Sequence, residues 1–178
     1  LTLDESSPNL SLHLPGDLQP GQLMVRTLAE LRRTLEDPDA HGRDPAYYMY
    51  NGVATFSASD GRVEYKWRYD LTVLPGGHYG QEYARTAGHY HRPIGRTSVA
   101  WPEVYEVLHG QALFILQKAD DLTAGPADAC MEDVILMQAG PGEKAMLPPN
   151  YGHWTVNVTG EPLVICNWIS ADFESDYG

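Results

Sequence analysis

The sequence predicts an all-β fold, an antiparallel sandwich or barrel preceded by an N-terminal arm and one short helix. Three observations carry this. From Tyr47 onward the chain is a succession of short runs rich in β-branched and aromatic residues. Turn signals separate the runs, among them Ser59-Asp60-Gly61, Pro75-Gly76-Gly77, His109-Gly110 and Thr159-Gly160. Neither a glycine-rich nucleotide-binding fingerprint nor an internal repeat breaks this texture.

Taken in order, residues 1–26 carry Pro8, Pro15 and Pro20 with Gly16 and Gly21, which reads as an irregular arm wrapping the domain. Thr27 and Glu30 then have the spacing of a capping box. Leucines follow at 28, 31 and 35 before Asp37-Pro38 stops the pattern, so one helix is expected here. Strands are expected at residues 47–56, 63–74, 82–91, 103–109, 112–117, 134–137, 144–147, 155–158 and 163–169. The polar stretch 118–131 reads as a loop. No linker divides the chain, so residues 1–178 read as a single domain, with the arm and helix in 1–44 and the barrel in 45–178.

Composition narrows the function classes. The chain has 12 Lys+Arg against 24 Asp+Glu, a formal charge of −12, and is 43% hydrophobic, enough for a real core. That acidic balance argues against a nucleic-acid or anionic-membrane partner, since both need a basic footprint. An anionic ligand must be held by local groups against the overall field. No apolar run is long enough for a transmembrane helix, and residues 1–23 lack the pattern of a secretory signal, so a cytoplasmic protein is expected. Cys130 and Cys166 lack CxxC spacing and read as free thiols.

Three of the seven histidines carry the chemistry. His89 and His91 stand at i, i+2, which on a strand points both imidazoles to one face. His153 follows Pro148-Pro149-Asn150-Tyr151-Gly152. Between them, Pro102-Glu103-Val104-Tyr105-Glu106-Val107 enters a strand whose Glu103, Tyr105 and Val107 share one face, with Glu106 on the other. Three imidazoles and a carboxylate converging on one cavity make a site for a divalent first-row metal, with positions left for substrate.

This pattern resembles the two signature motifs of the cupin superfamily. His89-x-His91, a spacer, then Glu103-x6-Gly110 is similar to the first; Gly142-x5-Pro148-x-Asn150-x2-His153-x3-Asn157 is similar to the second. Two features depart from the pattern. The spacer, residues 92–102, is longer than usual, and Asn150 stands where a glycine is common; asparagine tolerates a left-handed turn well. Within the cupins the chain resembles the archaeal-type, metal-dependent glucose-6-phosphate isomerases over roughly residues 45–178. Thr86-Ala87-Gly88-His89-Tyr90-His91, Pro102-Glu103-Val104-Tyr105, Leu116-Gln117, Pro148-Pro149-x3-His153-x-Thr155-Val156-Asn157, Gly160-Glu161-Pro162, Ala171-Asp172 and Asp176-Tyr177-Gly178 carry the likeness.

The resemblance implies a jelly-roll-like cupin barrel and an enzyme of glycolysis and gluconeogenesis interconverting glucose 6-phosphate and fructose 6-phosphate. It implies His89, His91, Glu103 and His153 as ligands of one divalent transition metal per chain. Iron is foremost, with Mn, Ni, Co or Zn able to replace it. It places the sugar phosphate at Thr72, Thr86 and Gly88, where hydroxyls and amides can hold it without an arginine cluster. Tyr105 falls near the reacting end of the sugar. One of Tyr47, Tyr48 and Tyr50 either reaches the ligand or packs in the core. A homodimer is the implied assembly. The family's tyrosine and histidine beyond the last strand fall here on Ile169 and Ser175, which bears on the substrate more than on the metal.

An aldose-to-ketose conversion moves hydrogen between C1 and C2. Glu103 is the candidate proton carrier, although a cation lowers the pKa of a bound carboxylate; a hydride shift is the other route. Two further readings of the same constellation are an oxygen-dependent cupin dioxygenase, which calls for a more apolar pocket, and a non-catalytic sugar-binding cupin. Thr72, Thr86 and Gly88 speak against the first, and Ile169 and Ser175 favour the second.

Overall fold

A computed structural model describes residues 1–4, 10–16, 18–62, 64–121 and 130–177. In chain order its elements are β1 (Thr2–Asp4), β2 (Ser11–His13), β3 (Gln22–Arg26), α1 (Leu28–Leu31), β4 (Tyr47–Ser59) and β5 (Glu64–Leu74). Two short strands, β6 (His78–Tyr79) and β7 (Glu82–Tyr83), precede β8 (Tyr90–His91), β9 (Glu103–His109), β10 (Ala112–Ala119) and β11 (Met131–Ala139). The chain finishes with β12 (Lys144–Leu147), β13 (Gly152–Asn157), β14 (Leu163–Ser170) and β15 (Ser175–Asp176).

A six-stranded sheet, ordered β12-β9-β14-β5-β4-β3, faces a three-stranded sheet, β11-β10-β13, and every pairing is antiparallel. This is the antiparallel all-β sandwich that the sequence predicts. Alternation builds it: in β9 and β10 every second residue is buried, so Tyr105 and Val107 meet Phe114 and Leu116 in one core with Leu74, Leu163 and Ile165. A second cluster, Tyr48, Tyr50, Leu71, Val73, Val164 and Cys166, lies on the outer face of the large sheet under Leu10 and Leu12. Gly110 turns β9 into β10 at φ 82°, where a side chain would strike the Pro162 carbonyl.

The helix forms where the capping box places it: Thr27 Oγ1 accepts from the Glu30 N–H, and Glu30 Oε2 accepts from the Thr27 N–H at 2.8 Å. It runs for four residues and tightens into a 3-10 turn over Arg32–Thr34, which brings Leu35 into the core beside Leu28 and Leu31.

Several elements differ from the sequence reading. The arm is not wholly irregular: β1 pairs with β2, and β3 is an edge strand of the large sheet. Pro15, Gly16, Pro20 and Gly21 lie in the connection between β2 and β3, while the alternating Leu10 and Leu12 supply the buried face. The segment 82–91 is not one strand. β7 folds back on β6, β8 pairs with β15, and single bridges join Arg85 to Val156 and His89 to His153. β13 begins at Gly152, three residues earlier than expected, because its pairing with β10 runs on through His153 opposite Leu116 to Gly152 opposite Gln117. β10 and β11 also take in both ends of the expected 118–131 loop; its residues 122–129, like Val63 and Pro8, lie outside the described residues.

Candidate metal centre

Backbone pairing assembles the histidines. His89 and His153 exchange N–H···O bonds of 3.2 and 3.0 Å across their bridge, so their side chains leave on the same side, and His91 follows on β8. One ring nitrogen from each of the three lies within 4.8 Å of the others, an arrangement that could hold a metal ion. The tautomer of His91 is set from behind: its Nδ1 is 2.8 Å from the Trp101 carbonyl, which only accepts, so Nδ1 carries the hydrogen and Nε2 keeps its lone pair. His153 Nδ1 faces the Tyr151 carbonyl at 3.4 Å in the same sense.

Glu103 opens β9 and is buried. Its Oε2 is 3.3 Å from Nε2 of both His91 and His153, while its Oε1 accepts from Asn167 Nδ2 at 2.6 Å. Glu106, of opposite parity, points outward to Lys144 at 3.0 Å. His91 Nε2, Glu103 Oε2 and His153 Nε2 are buried, and none makes a hydrogen bond, since their contacts are close but misdirected for one. Two nitrogen lone pairs and an anionic oxygen converging without a donor between them repel one another. A shared divalent cation relieves all three, so the residues fit a metal.

The protonation states of His89 and Glu103 agree with that, whereas His91 is shifted toward its protonated form. Burial, reinforced by the neighbouring His153, pushes the His89 pKa down to about 3, so its imidazole is neutral and offers a lone pair. Burial alone would raise Glu103, yet His153 and His91 against its carboxylate hold it down at about 2, ionised. For His91 burial acts downward and the Glu103 carboxylate outweighs it, raising the pKa. The Tyr105 hydroxyl is driven well above its ordinary value, first by burial and then by Glu103, and stays a neutral phenol. Its ring stands edge-on to His153, centroids 6.0 Å apart.

The structure divides the other expected residues. Thr72 and Tyr105 share the inner face of the large sheet with Glu103, Thr72 standing opposite Met49 and Ile165. Thr86 accepts from the Thr155 N–H at 3.0 Å and keeps its own O–H to donate. Gly88 lines a cavity of about 690 Å³ bordered by His89, His153, Trp154, Tyr90 and Tyr177; Thr72, Thr86, His91, Glu103 and Tyr105 lie outside that lining. Of the early tyrosines, Tyr48 and Tyr50 pack on the outer face, whereas Tyr47 is on the inner face and its hydroxyl accepts from the Ala87 N–H at 3.2 Å. Ile169 is buried in β14, and Ser175 stands opposite His91 in the β8–β15 pair.

Sequence reasoning missed four contributors. Asn167 orients Glu103, and the signal was present: a polar residue on the buried parity of β14 between Ile165 and Ile169. The Trp101 carbonyl is a backbone group and leaves no such signal. Phe173 and Tyr177 place their rings 5.1 Å from His91 and 5.4 Å from His89. Asn150 also has a definite task. At φ 69° its Oδ1 accepts from the Ala100 N–H at 2.8 Å and its Nδ2 donates to the Ser98 carbonyl at 3.1 Å, which pins the long 92–102 segment carrying Trp101.

Comparisons with known proteins bear on this geometry. Glucose-6-phosphate isomerase of Thermococcus gammatolerans is 29% identical over 167 residues, 92% of this chain and 77% of that one. Its counterpart in Thermococcus kodakarensis is 28% identical over 174 residues, covering 95% and 81%. Among solved structures, a deletion mutant of Bacillus subtilis oxalate decarboxylase superposes with a TM-score of 0.48 at 16% identity, over 73% of this chain and 28% of that one. The family model described as glucose-6-phosphate isomerase (GPI) matches residues 25–178. A match of that span takes in the end of β3, all three clustered histidines and the last strand, and on that ground the chain belongs to the glucose-6-phosphate isomerase family.

Proposed function

We propose that this chain interconverts glucose 6-phosphate and fructose 6-phosphate in the cytoplasm, with one divalent transition metal, iron in the first place, held by His89, His91, Glu103 and His153. One observation carries the reading: in a member of this family, three buried atoms, His91 Nε2, Glu103 Oε2 and His153 Nε2, converge with no hydrogen-bond partner. A divalent cation held there by these residues would supply Lewis-acid polarisation of the substrate carbonyl. The rest falls to the chain. Glu103, ionised and fixed by Asn167, moves the proton between C2 and C1. Tyr105, kept protonated, donates a hydrogen bond to a sugar oxygen. Thr72, Thr86 and the backbone at Gly88 hold the phosphate.

The outer face of the small sheet exposes Val134 at 56% and Leu136 at 63%, beside the half-buried Leu113, Ile115 and Trp154. An isologous homodimer through this face covers them, and sedimentation giving the mass of two chains is the expected result. Among the described residues no helix is long and apolar enough to cross a membrane. The test of function is direct. Protein loaded with Fe, Mn, Ni, Co or Zn is assayed with glucose 6-phosphate in a coupled fructose 6-phosphate readout, and metal content is measured on the same sample. Turnover proportional to bound metal, near one ion per chain, supports the reading. Stoichiometric metal without turnover removes the isomerase; active protein free of metal removes the centre.

A further inference from the structure

We propose that Arg26 supplies the cationic contact to the substrate's phosphate group, reaching it from between Tyr47 and Tyr177; the inference rests on the sugar-phosphate reading of the site. Arg26 is the last residue of β3 and stands directly opposite Tyr47 in the register of β4. Directly opposed residues of an antiparallel pair project to the same face, so Arg26 is on the inner face with Tyr47. The Tyr47 hydroxyl is 3.2 Å from the Ala87 N–H, which sets Arg26 beside the Thr86–Ala87–Gly88 segment. On its other side, Nη2 is 3.5 Å from the Tyr177 hydroxyl and the guanidinium lies 5.4 Å from the centre of that ring. Tyr177 in turn lies against His89, ring centroids 5.4 Å apart.

Its hydrogen bonding is incomplete. Arg26 Nε is buried and has no partner, while the rest of the fork is engaged by the Tyr47 hydroxyl and, more loosely, by Tyr177 and by Glu30 at 3.6 Å. A buried charged donor left unpaired is costly, and a bound anion removes that cost. Two neighbouring arginines are spent. Arg85 gives Nε to Glu82 at 2.9 Å and its other nitrogens to the Thr86 and Thr34 carbonyls. Arg68 commits Nε and Nη2 to Asp70 at 2.7 to 2.9 Å and covers the Phe173 ring. The chain carries a charge of −12 and the centre an ionised Glu103, so a phosphate dianion enters an unfavourable field. Hydroxyls and amides contribute dipoles against that field. A guanidinium fork contributes a full charge and parallel N–H donors matched to phosphate oxygens.

The test compares metal-loaded wild type with Arg26→Met, Arg26→Lys, Tyr177→Phe and the Arg26→Met/Tyr177→Phe double variant. For each, KM and kcat for glucose 6-phosphate are measured, together with the competitive inhibition constant of inorganic phosphate. Loss of a charged hydrogen bond predicts that Arg26→Met raises KM and the phosphate constant together, by roughly 10- to 100-fold, with kcat changed only a few-fold. Arg26→Lys recovers part of both, and covers the case in which Arg26→Met fails to fold. Tyr177→Phe leaves the phosphate constant near wild type. An unchanged phosphate constant in Arg26→Met or Arg26→Lys overturns the proposal. So does a kcat loss that Tyr177→Phe reproduces and the double variant does not deepen, which makes Arg26 a support for Tyr177. The isomerase reading fails separately: wild type without turnover, yet binding inorganic phosphate in an Arg26-dependent manner by calorimetry, sinks the isomerase and keeps the contact.

Discussion

Replacing Glu103 with glutamine tests the proton carrier, and the surrounding hydrogen bonds dictate how the variant behaves. Asn167 Nδ2 donates to Oε1 at 2.6 Å, so the new amide must turn its oxygen toward Asn167. Its NH₂ then faces Nε2 of His91 and of His153, where the carboxylate oxygen stood 3.3 Å from each. With Trp101 fixing the tautomer of His91, that nitrogen accepts. The variant thus gains up to two neutral hydrogen bonds, about 1 kcal/mol apiece, that metal must displace. Metal binding weakens by roughly 30-fold from this cause, at tenfold per 1.4 kcal/mol, before the lost charge is added. Excess metal restores occupancy. At equal occupancy, loss of the base lowers kcat by roughly 10²- to 10⁴-fold. The assay is kcat per bound ion for both proteins, with occupancy measured on the same samples. Equal values refute the claim that Glu103 transfers the proton and leave it a ligand only.

Three more outcomes follow from the same geometry. His89→Ala and His153→Ala lose metal and activity together and are not rescued by the metal excess that refills Glu103→Gln; full activity in either removes that histidine from the ligand set. Asn150→Gly relieves the left-handed backbone but forfeits two hydrogen bonds, a net destabilisation of about 1 kcal/mol. It also frees the Trp101 carbonyl, so metal affinity falls by roughly 10-fold; unchanged affinity separates the 92–102 segment from the centre. In metal-free protein the folded pKa of Glu103 is below its ordinary 4.5, so the carboxylate contributes stability above pH 4.5 and loses it as pH falls toward 2. Urea midpoints over that range fall more steeply for wild type than for Glu103→Gln; parallel curves contradict the depressed pKa.

The sequence exposed what periodicity controls. The strand over residues 103–109 was readable to the residue, because three alternate positions, Glu103, Tyr105 and Val107, are buried in one sheet with partners on both sides. The same parity separated Glu103 from Glu106. Residues 1–26 were misread because strands of three and five residues offer too few alternations to stand out among prolines, and their stability comes from pairing rather than propensity. The 82–91 segment misled for the opposite reason. Its apolar and aromatic residues look continuous, yet consecutive parts pair with different partners, β6, β13 and β15, and pairing is a property of the fold.

The aromatic wall of the site shows why such information is absent from local sequence. Phe173 and Tyr177 flank β15, a strand of two residues, and reach His91 and His89 because Ser175 pairs with His91 and Asp176 with Tyr90. No hydrophobic period marks a two-residue strand, and neither ring has the parity of a core position. Aligning the last strand by residue type assigns the family's two sugar-side groups to Ile169 and Ser175. Ile169 is sealed in the sheet opposite Arg68, and it is Tyr177 that borders the cavity. Which aromatic ring stands beside the histidines is therefore set by where the chain crosses back over β8. Arg26 belongs to the same class of position. It is a lone cation at the end of an edge strand, and only the register with Tyr47 and the approach of Tyr177 from the far end of the chain bring it to the inner face beside residues 86–88.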